Sequence, residues 1–124
     1  MAQTSSPSSD IKRARKEAQF FKMLSQIFMQ IVCDDSRLQG MFINRVVLSP
    51  SYGTCNIFFY LPEGESAFRE KLAILKLYKP SMRKAISSLI AGRYTPELMF
   101  KYDQQFEKQQ KIESILDSLQ EEDV

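Results

Sequence analysis

The stretch Arg93 to Asp103, RYTPELMFKYD, decides the fold because it joins a helix end to a strand start. Gly92 can adopt the left-handed conformation that ends a helix, and Pro96 prevents the helix from resuming. From Leu98 onward apolar and polar residues alternate, which is the two-residue period of a half-buried strand. We therefore expect a strand from Glu97 to Tyr102. Its buried face should carry Leu98, Phe100 and Tyr102.

Two helices separated by a break are predicted before this strand. The first follows a turn at residues 62–64 and runs from about Glu65 to Tyr78. Pro80 cannot continue its hydrogen-bond ladder but suits the first turn of a new helix. We therefore place the break near Lys79 and expect the second helix to reach Ala91. The residues expected to be buried are Phe68, Leu72, Leu75, Met82, Ile86, Leu89 and Ile90.

A further helix and a β-hairpin are predicted in the first half of the chain. Residues 1–9 are rich in Ser and predict a disordered lead-in. Two segments rich in Val, Ile, Phe and Tyr, Met41 to Ser49 and Thr54 to Leu61, predict strands, and the turn at residues 50–53 makes them a hairpin. Apolar residues at three- and four-residue intervals predict an amphipathic helix from about Asp10 to Val32. Its apolar stripe is Phe20, Leu24, Ile27, Phe28 and Ile31.

The second strand of the hairpin presents two different faces. One face carries Cys55, which we interpret as a small core residue. The other carries Phe58 and Tyr60, and exposed aromatic side chains on a sheet either stack on RNA bases or are covered by another element. The covering element would be a last helix from Gln104 to Leu119. Its expected buried face carries Phe106, Ile112, Ile115, Leu116 and Leu119.

The predicted order is helix, strand, strand, helix, break, helix, strand, helix. Because a helical crossover leads to the third strand, we expect a three-stranded sheet with helices on one face. This α+β succession matches the type II KH arrangement, an RNA-binding fold, with one additional C-terminal helix. We expect one domain over residues 10–119, followed by an acidic frayed end at residues 120–124.

Composition argues against several functional classes. The chain contains no His, and two separated cysteines, Cys33 and Cys55, cannot complete the usual four-ligand zinc site. It shows no signal peptide and no apolar stretch long enough to span a membrane, so a reducing cytoplasmic location fits best. Asp34 and Asp35 are the best acidic pair, but they lie in a turn without a convergent base or metal cluster. We expect neither enzymatic activity nor a cofactor.

Charge is distributed unevenly, although the net charge is only +2. Residues 69–93 contain seven Lys and Arg against one acid, whereas residues 103–124 contain seven acids against two Lys. The basic part covers the two crossover helices, where cations can neutralise RNA phosphates and release counterions. In an alternative interpretation, the basic first helix, which carries Phe20, Phe21 and Phe28, binds a membrane surface or a partner helix.

Three pieces of the chain together resemble one protein family. They are DSRL at residues 35–38, VLSP at residues 47–50, and the stretch Arg93 to Asp103. In this spacing they resemble ribosome-binding factor A, a bacterial family, over about residues 11–119. The resemblance implies a cytoplasmic protein without enzymatic activity, a monomer when free, that binds the small (30S) ribosomal subunit. It also implies contact with 16S rRNA and assistance in its maturation, including that of its 5′ end.

The resemblance and the basic residues together indicate which side chains contact RNA. The candidates are Lys76, Lys79, Arg83, Lys84 and Arg93, with Arg37 and Arg45 as further candidates.

Three features depart from the pattern expected of such a protein. The Gly-x-x-Gly loop with which ordinary KH domains clamp a nucleic-acid backbone is missing, so we do not expect ordinary single-strand KH recognition. The interhelical break contains Tyr78-Lys79-Pro80, where the family tends to show Ala-x-Gly. Pro80 does not permit the close backbone approach that glycine allows. Ser36 stands where the family usually has proline.

Overall fold

The computed structural model describes residues 7–90 and 95–122, and it confirms the predicted α+β order. The elements are α1 (Pro7–Asp34), a 3-10 turn (Ser36–Leu38), β1 (Phe42–Leu48), β2 (Thr54–Tyr60), α2 (Glu65–Leu77), α3 (Lys79–Ser87), β3 (Glu97–Tyr102) and α4 (Gln104–Glu122).

The three strands form one sheet in the order β1-β2-β3. β1 pairs with β2 antiparallel, as a hairpin requires, and β2 pairs with β3 parallel. The parallel pair needs a crossover connection, which α2 and α3 provide. α1, α2 and α3 cover one face of the sheet, as expected for a KH-like fold.

The core lies between that face and the helices, and it contains the predicted alternating residues of the strands. Leu98 is fully buried and Tyr102 nearly so on β3, whereas Phe100 is partly buried. Cys55 is buried on β2, and burial raises the pKa of its thiol to about 12. Cys33, in contrast, is exposed. The strand prediction from side-chain alternation is therefore confirmed.

Asp103, the residue after β3, joins three elements through a buried carboxylate. Its side chain is 1% exposed and accepts hydrogen bonds from Asn44 Nδ2 at 2.9 Å and Arg45 Nε at 2.8 Å. It also accepts from the backbone N–H of Phe106 at 3.1 Å, which caps the first turn of α4. Burial opposes the charge, but the bonds from Arg45, Asn44 and Phe106 outweigh it and lower the pKa of Asp103.

A β-bulge in β1 supplies two of these partners. The pairing of β1 with β2 shifts register between Ile43 and Arg45, so Asn44 is the extra residue. A bulge changes the direction of neighbouring side chains. Here it allows the consecutive residues Asn44 and Arg45 to contact the same carboxylate.

Two predicted helix boundaries were wrong. α1 begins at Pro7 rather than Asp10, because proline suits a first helical turn and the ion pair of Asp10 with Arg13 supports that turn. Residues 7–9 are therefore helical rather than part of a disordered lead-in, and residues 1–6 lie outside the described residues. α3 ends at Ser87 rather than at the predicted Ala91, which lies outside the described residues, whereas the break falls at Tyr78, next to its predicted position near Lys79.

The prediction that α4 buries an apolar face on the sheet was wrong beyond its first turn. The ring of Phe106 packs against Tyr60 at 4.8 Å and Phe42 at 6.3 Å between centroids. The rest of the helix continues to Glu122 with its apolar stripe in solvent, because capping by Asp103 fixes its start at the end of the sheet. Residues more than half exposed are Ile112, Ile115, Leu116 and Leu119.

We predict that Asp103→Ala destabilises the domain by about 2 to 4 kcal/mol. The substitution leaves Arg45 without its partner and removes the cap of α4. Chemical denaturation at neutral pH measures the change. Asp117→Ala, on the exposed part of α4, is the matched control and should stay within about 0.5 kcal/mol. Equal effects of the two substitutions would contradict the role given to Asp103.

Candidate nucleic-acid interface

Three of the residues predicted to contact RNA lie on helix α3, a short helix anchored in the core. Met82 and Ile86 are fully buried and fix its inner side. Pro80 lies in its first turn, as predicted. The opposite flank exposes Arg83 and Lys84 to solvent. A basic surface with a fixed backbone therefore faces outward.

Glu97, the first residue of β3, brings two of these cations together. Lys79 Nζ lies 3.0 Å from Glu97 Oε1, and Arg83 Nη1 lies 4.0 Å from Glu97 Oε2. The hydrogen bond from Lys79 is the main cause that lowers the pKa of Glu97. Lys79 Nζ also lies 5.9 Å from the ring centroid of Phe100. The sequence alone did not indicate this shared carboxylate.

Lys84 and Lys76 occupy the last turns of α3 and α2, where cations interact favourably with the helix dipole. Both side chains are exposed, and neither forms an ion pair within residues 7–90 and 95–122. One residue, Tyr78, separates the helix of Lys76 from the helix of the other cations. Arg93 lies outside the described residues.

The two further candidates, Arg37 and Arg45, both have structural partners. Arg37 forms a two-point pair with Asp35, with its Nε and Nη2 atoms 2.9 and 2.7 Å from the carboxylate oxygens. Arg45 pairs with Asp103 and lays its guanidinium 3.9 Å from the ring centroid of Phe58. Their exposed fractions are 59% and 40%, so each retains an accessible edge.

Two lysines that the sequence analysis did not select lie beside α3 and on the outer face of the sheet, respectively. Lys16 on α1 donates from Nζ to the carbonyl oxygen of Leu89 at 3.3 Å, which places the basic start of α1 beside the end of α3. Lys101 lies on the outer face of the sheet, 6.0 Å from the Phe58 ring centroid. The side-chain alternation of β3 placed Lys101 on that face and was the signal that could have selected it.

Comparison with known proteins identifies the family of this chain. The family model for ribosome-binding factor A matches residues 12–116. The chain belongs to the ribosome-binding factor A family. A ribosome-binding factor A from Citrifermentans bemidjiense is 29% identical over 86% of this chain and 89% of that one. A Syntrophomonas wolfei relative of the same name is 26% identical over 90% and 92%, respectively.

Solved structures of ribosome-binding factor A support the fold. A Thermotoga maritima protein of this description, solved in solution, matches with a TM-score of 0.65 at 22% identity, over 78% of this chain and 90% of that one. The crystal structure of the Thermus thermophilus protein gives a TM-score of 0.56 at 21% identity, over 71% and 92%. These two likenesses concern the fold alone.

The interhelical break between α2 and α3 is built around Tyr78. Its backbone closes α2 by donating to Leu75 and opens α3 by accepting from Met82. Its hydroxyl donates to Asp35 Oδ2 at 2.6 Å, which ties the break to the loop after α1. This side-chain tether, together with Pro80, fixes the break without the glycine that the resemblance implied.

Asp35 is the centre of this tether. It is 8% exposed and accepts hydrogen bonds from Arg37 and Tyr78. These bonds, chiefly the one from Arg37, hold the pKa of Asp35 well below its usual range. The same contact raises the pKa of the Tyr78 hydroxyl. Charged Asp35 therefore stabilises the folded protein.

Neither a metal cluster nor a membrane-spanning helix is found in the part of the chain that the structure describes. No group of three or more His, Cys, Asp or Glu side chains there is placed to hold a metal ion. No helix there is long and apolar enough to cross a bilayer.

We predict that Tyr78→Phe lowers the thermal unfolding midpoint, and that the loss shrinks as the pH falls below about 4. The folded-state pKa of Asp35 lies below its unfolded value, so its stabilisation is present above the unfolded pKa and is lost on acidification. Removing the Tyr78 hydroxyl brings the folded-state pKa of Asp35 closer to its unfolded value. Unfolding curves by circular dichroism at several pH values measure the effect.

The matched control for this substitution is Tyr52→Phe, in the exposed turn between β1 and β2. It should leave the midpoint unchanged at every pH. A Tyr78→Phe loss that grows on acidification would show that the hydroxyl does not stabilise charged Asp35.

Proposed function

We propose that this member of the ribosome-binding factor A family acts in the cytoplasm as a monomer that binds the small (30S) ribosomal subunit through 16S rRNA. In this proposal it assists maturation of that RNA, including its 5′ end. Family membership supports ribosome binding. The observation that carries the RNA contact is the outward flank of α3, where Arg83 and Lys84 are exposed on a helix anchored by buried Met82 and Ile86.

The proposed contact is electrostatic. Lys and Arg neutralise RNA phosphates and release condensed counterions, so affinity should fall steeply with salt. Because the Gly-x-x-Gly loop is missing, the backbone does not clamp a strand in the ordinary KH manner. The side chains of α3, which the tether at Tyr78 holds in place, make the contact instead.

Such a protein would assist maturation by binding energy and not by chemistry. A bound partner shifts a conformational equilibrium only by its difference in affinity for the two states. We therefore propose that this protein prefers one rRNA conformation of the immature subunit and raises its population. The preferred conformation would present phosphates at the spacing of the α3 cations.

The alternative of a membrane-surface or partner-helix role for α1 lacks the apolar face that it needs. Phe20 and Phe28 are buried against the sheet, and Phe21 is 37% exposed. An amphipathic helix binds a bilayer through an accessible apolar face. In α1 that face forms the core of the domain.

We predict that the double variant Arg83→Glu and Lys84→Glu weakens binding to purified small subunits at least about tenfold. For this variant the slope of log affinity against log salt concentration should become less steep by about 2. Sedimentation with small subunits at several salt concentrations measures both quantities. The double variant Lys108→Glu and Lys111→Glu on α4, with the same change of charge, is the control. Equal losses in the two variants would refute α3 as the contact surface.

We further predict that Glu97→Gln raises affinity for small subunits about two- to threefold. The carboxylate of Glu97 competes with phosphate for Lys79 and Arg83, and the amide removes this competition with little change of shape. The same sedimentation assay measures the gain. Glu113→Gln on α4 changes the net charge equally and should have little effect. Weaker binding by Glu97→Gln would mean that Glu97 orients the cations instead of competing for them.

A further inference from the structure

The face of the sheet turned away from α1, α2 and α3 carries a row of three side chains, one from each strand. Arg45 pairs in register with Phe58, and Phe58 pairs with Lys101. The guanidinium of Arg45 lies 3.9 Å from the Phe58 ring centroid, and Lys101 Nζ lies 6.0 Å from it. A partly buried aromatic ring thus lies between two cations on this face.

A second row lies next to the first. Val47 pairs with Asn56, and Asn56 pairs with Met99. Val47 and Met99 are 36% and 42% exposed, so the row is apolar at its ends. Among residues 7–90 and 95–122, the Asn56 amide has no hydrogen-bond partner. It can both donate to and accept from a ligand.

The Arg45 side chain is held in a fixed orientation. Asp103 accepts from its Nε atom at 2.8 Å and its Nη2 atom at 3.3 Å. A guanidinium fixed in this way covers one face of the Phe58 ring and leaves the face toward β3 for a ligand, and bases stack on aromatic rings.

The charges around the two rows favour an anionic ligand. Asp103 is 1% exposed and is already paired with Arg45. Glu97, a second carboxylate on this face, lies beyond Met99 and pairs with Lys79 and Arg83. These pairs place the α3 cations at the edge of the same face. A strand of RNA can therefore run from α3 around the edge of β3 and onto the sheet.

We propose that this outer sheet face is a second RNA-contact site that takes an unpaired base. The base stacks on the face of the Phe58 ring opposite the Arg45 guanidinium, the Asn56 amide bonds its edge, and Lys101 neutralises the adjacent phosphate. The site rests on the proposed RNA-binding function and adds base recognition to the phosphate contacts of α3. Because it lies on the outer face of the sheet, it does not depend on a Gly-x-x-Gly loop.

The chain has no Trp, so a single introduced indole reports on this site. The test uses Phe58→Trp, with Tyr52→Trp in the β1–β2 turn as the control. The probes are a fluorophore-labelled octamer of adenylate RNA and an octamer of the same backbone without bases. Anisotropy of the label measures binding, and quenching of the indole measures stacking.

The proposal predicts that the adenylate octamer quenches Trp at position 58 and not at position 52, and that the abasic octamer quenches neither. In the otherwise unchanged protein, Phe58→Leu should lower affinity for the adenylate octamer about tenfold and leave the abasic octamer unaffected. Lys101→Gln should weaken both octamers. Circular dichroism establishes that each variant is folded.

Binding of the octamer by anisotropy without quenching at position 58 would overturn the sheet site and leave the α3 contact intact. Failure of the octamer to bind, while the wild-type protein still sediments with small subunits, would also overturn it. Failure of the wild-type protein to bind small subunits would instead refute the proposed function.

Discussion

Asp103 is a buried carboxylate on which the end of β3, the start of α4 and the bulge of β1 all depend. A charge taken out of water is costly unless hydrogen bonds and an opposite charge compensate it. Here Arg45, Asn44 and the first turn of α4 provide that compensation. The same pair orients Arg45 over Phe58. One structural constraint thus fixes both the outer sheet face and the direction in which α4 leaves the domain.

A second buried carboxylate controls the basic surface. Asp35 accepts from Tyr78, the residue between α2 and α3, and so fixes the angle at which α3 begins. Its partner Arg37 is also bound through its carbonyl oxygen by Lys71 Nζ at 2.6 Å, which ties α2 to the same loop. The position of Arg83 and Lys84 therefore depends on a loop that precedes them by more than forty residues.

The sequence predicted what depends on local chemistry. Side-chain alternation gave β3 with correct ends, and Pro80 gave the break to within one residue. The sequence did not predict that Asp103 joins these elements. Asn44 and Arg45 lie 59 and 58 residues away from it and contact its carboxylate only because of the bulge. The prediction for α4 was wrong because amphipathic spacing shows that a helix has an apolar stripe but does not show what covers it.

The candidate site, too, could be predicted from the sequence only in part. The density of Lys and Arg selected α3 correctly as an exposed basic element, whereas the exposure of each cation depends on non-local pairing. Glu97 forms ion pairs with Lys79 and Arg83, and Asp35 forms one with Arg37. Lys101 was passed over because it is a single cation between apolar residues. Its position beside Phe58 becomes apparent only from the register of β2 and β3.

The measurement that tests the account most directly is site-directed hydroxyl-radical probing of small subunits. Iron is tethered at Ser87→Cys on α3 or at Glu113→Cys on α4, in a background with exposed Cys33 replaced by Ser, while buried Cys55 stays unreactive. The account predicts strong cleavage of 16S rRNA from position 87 and weak cleavage from position 113. Cleavage from position 113 alone would show that α4, and not the basic face of α3, lies against the RNA.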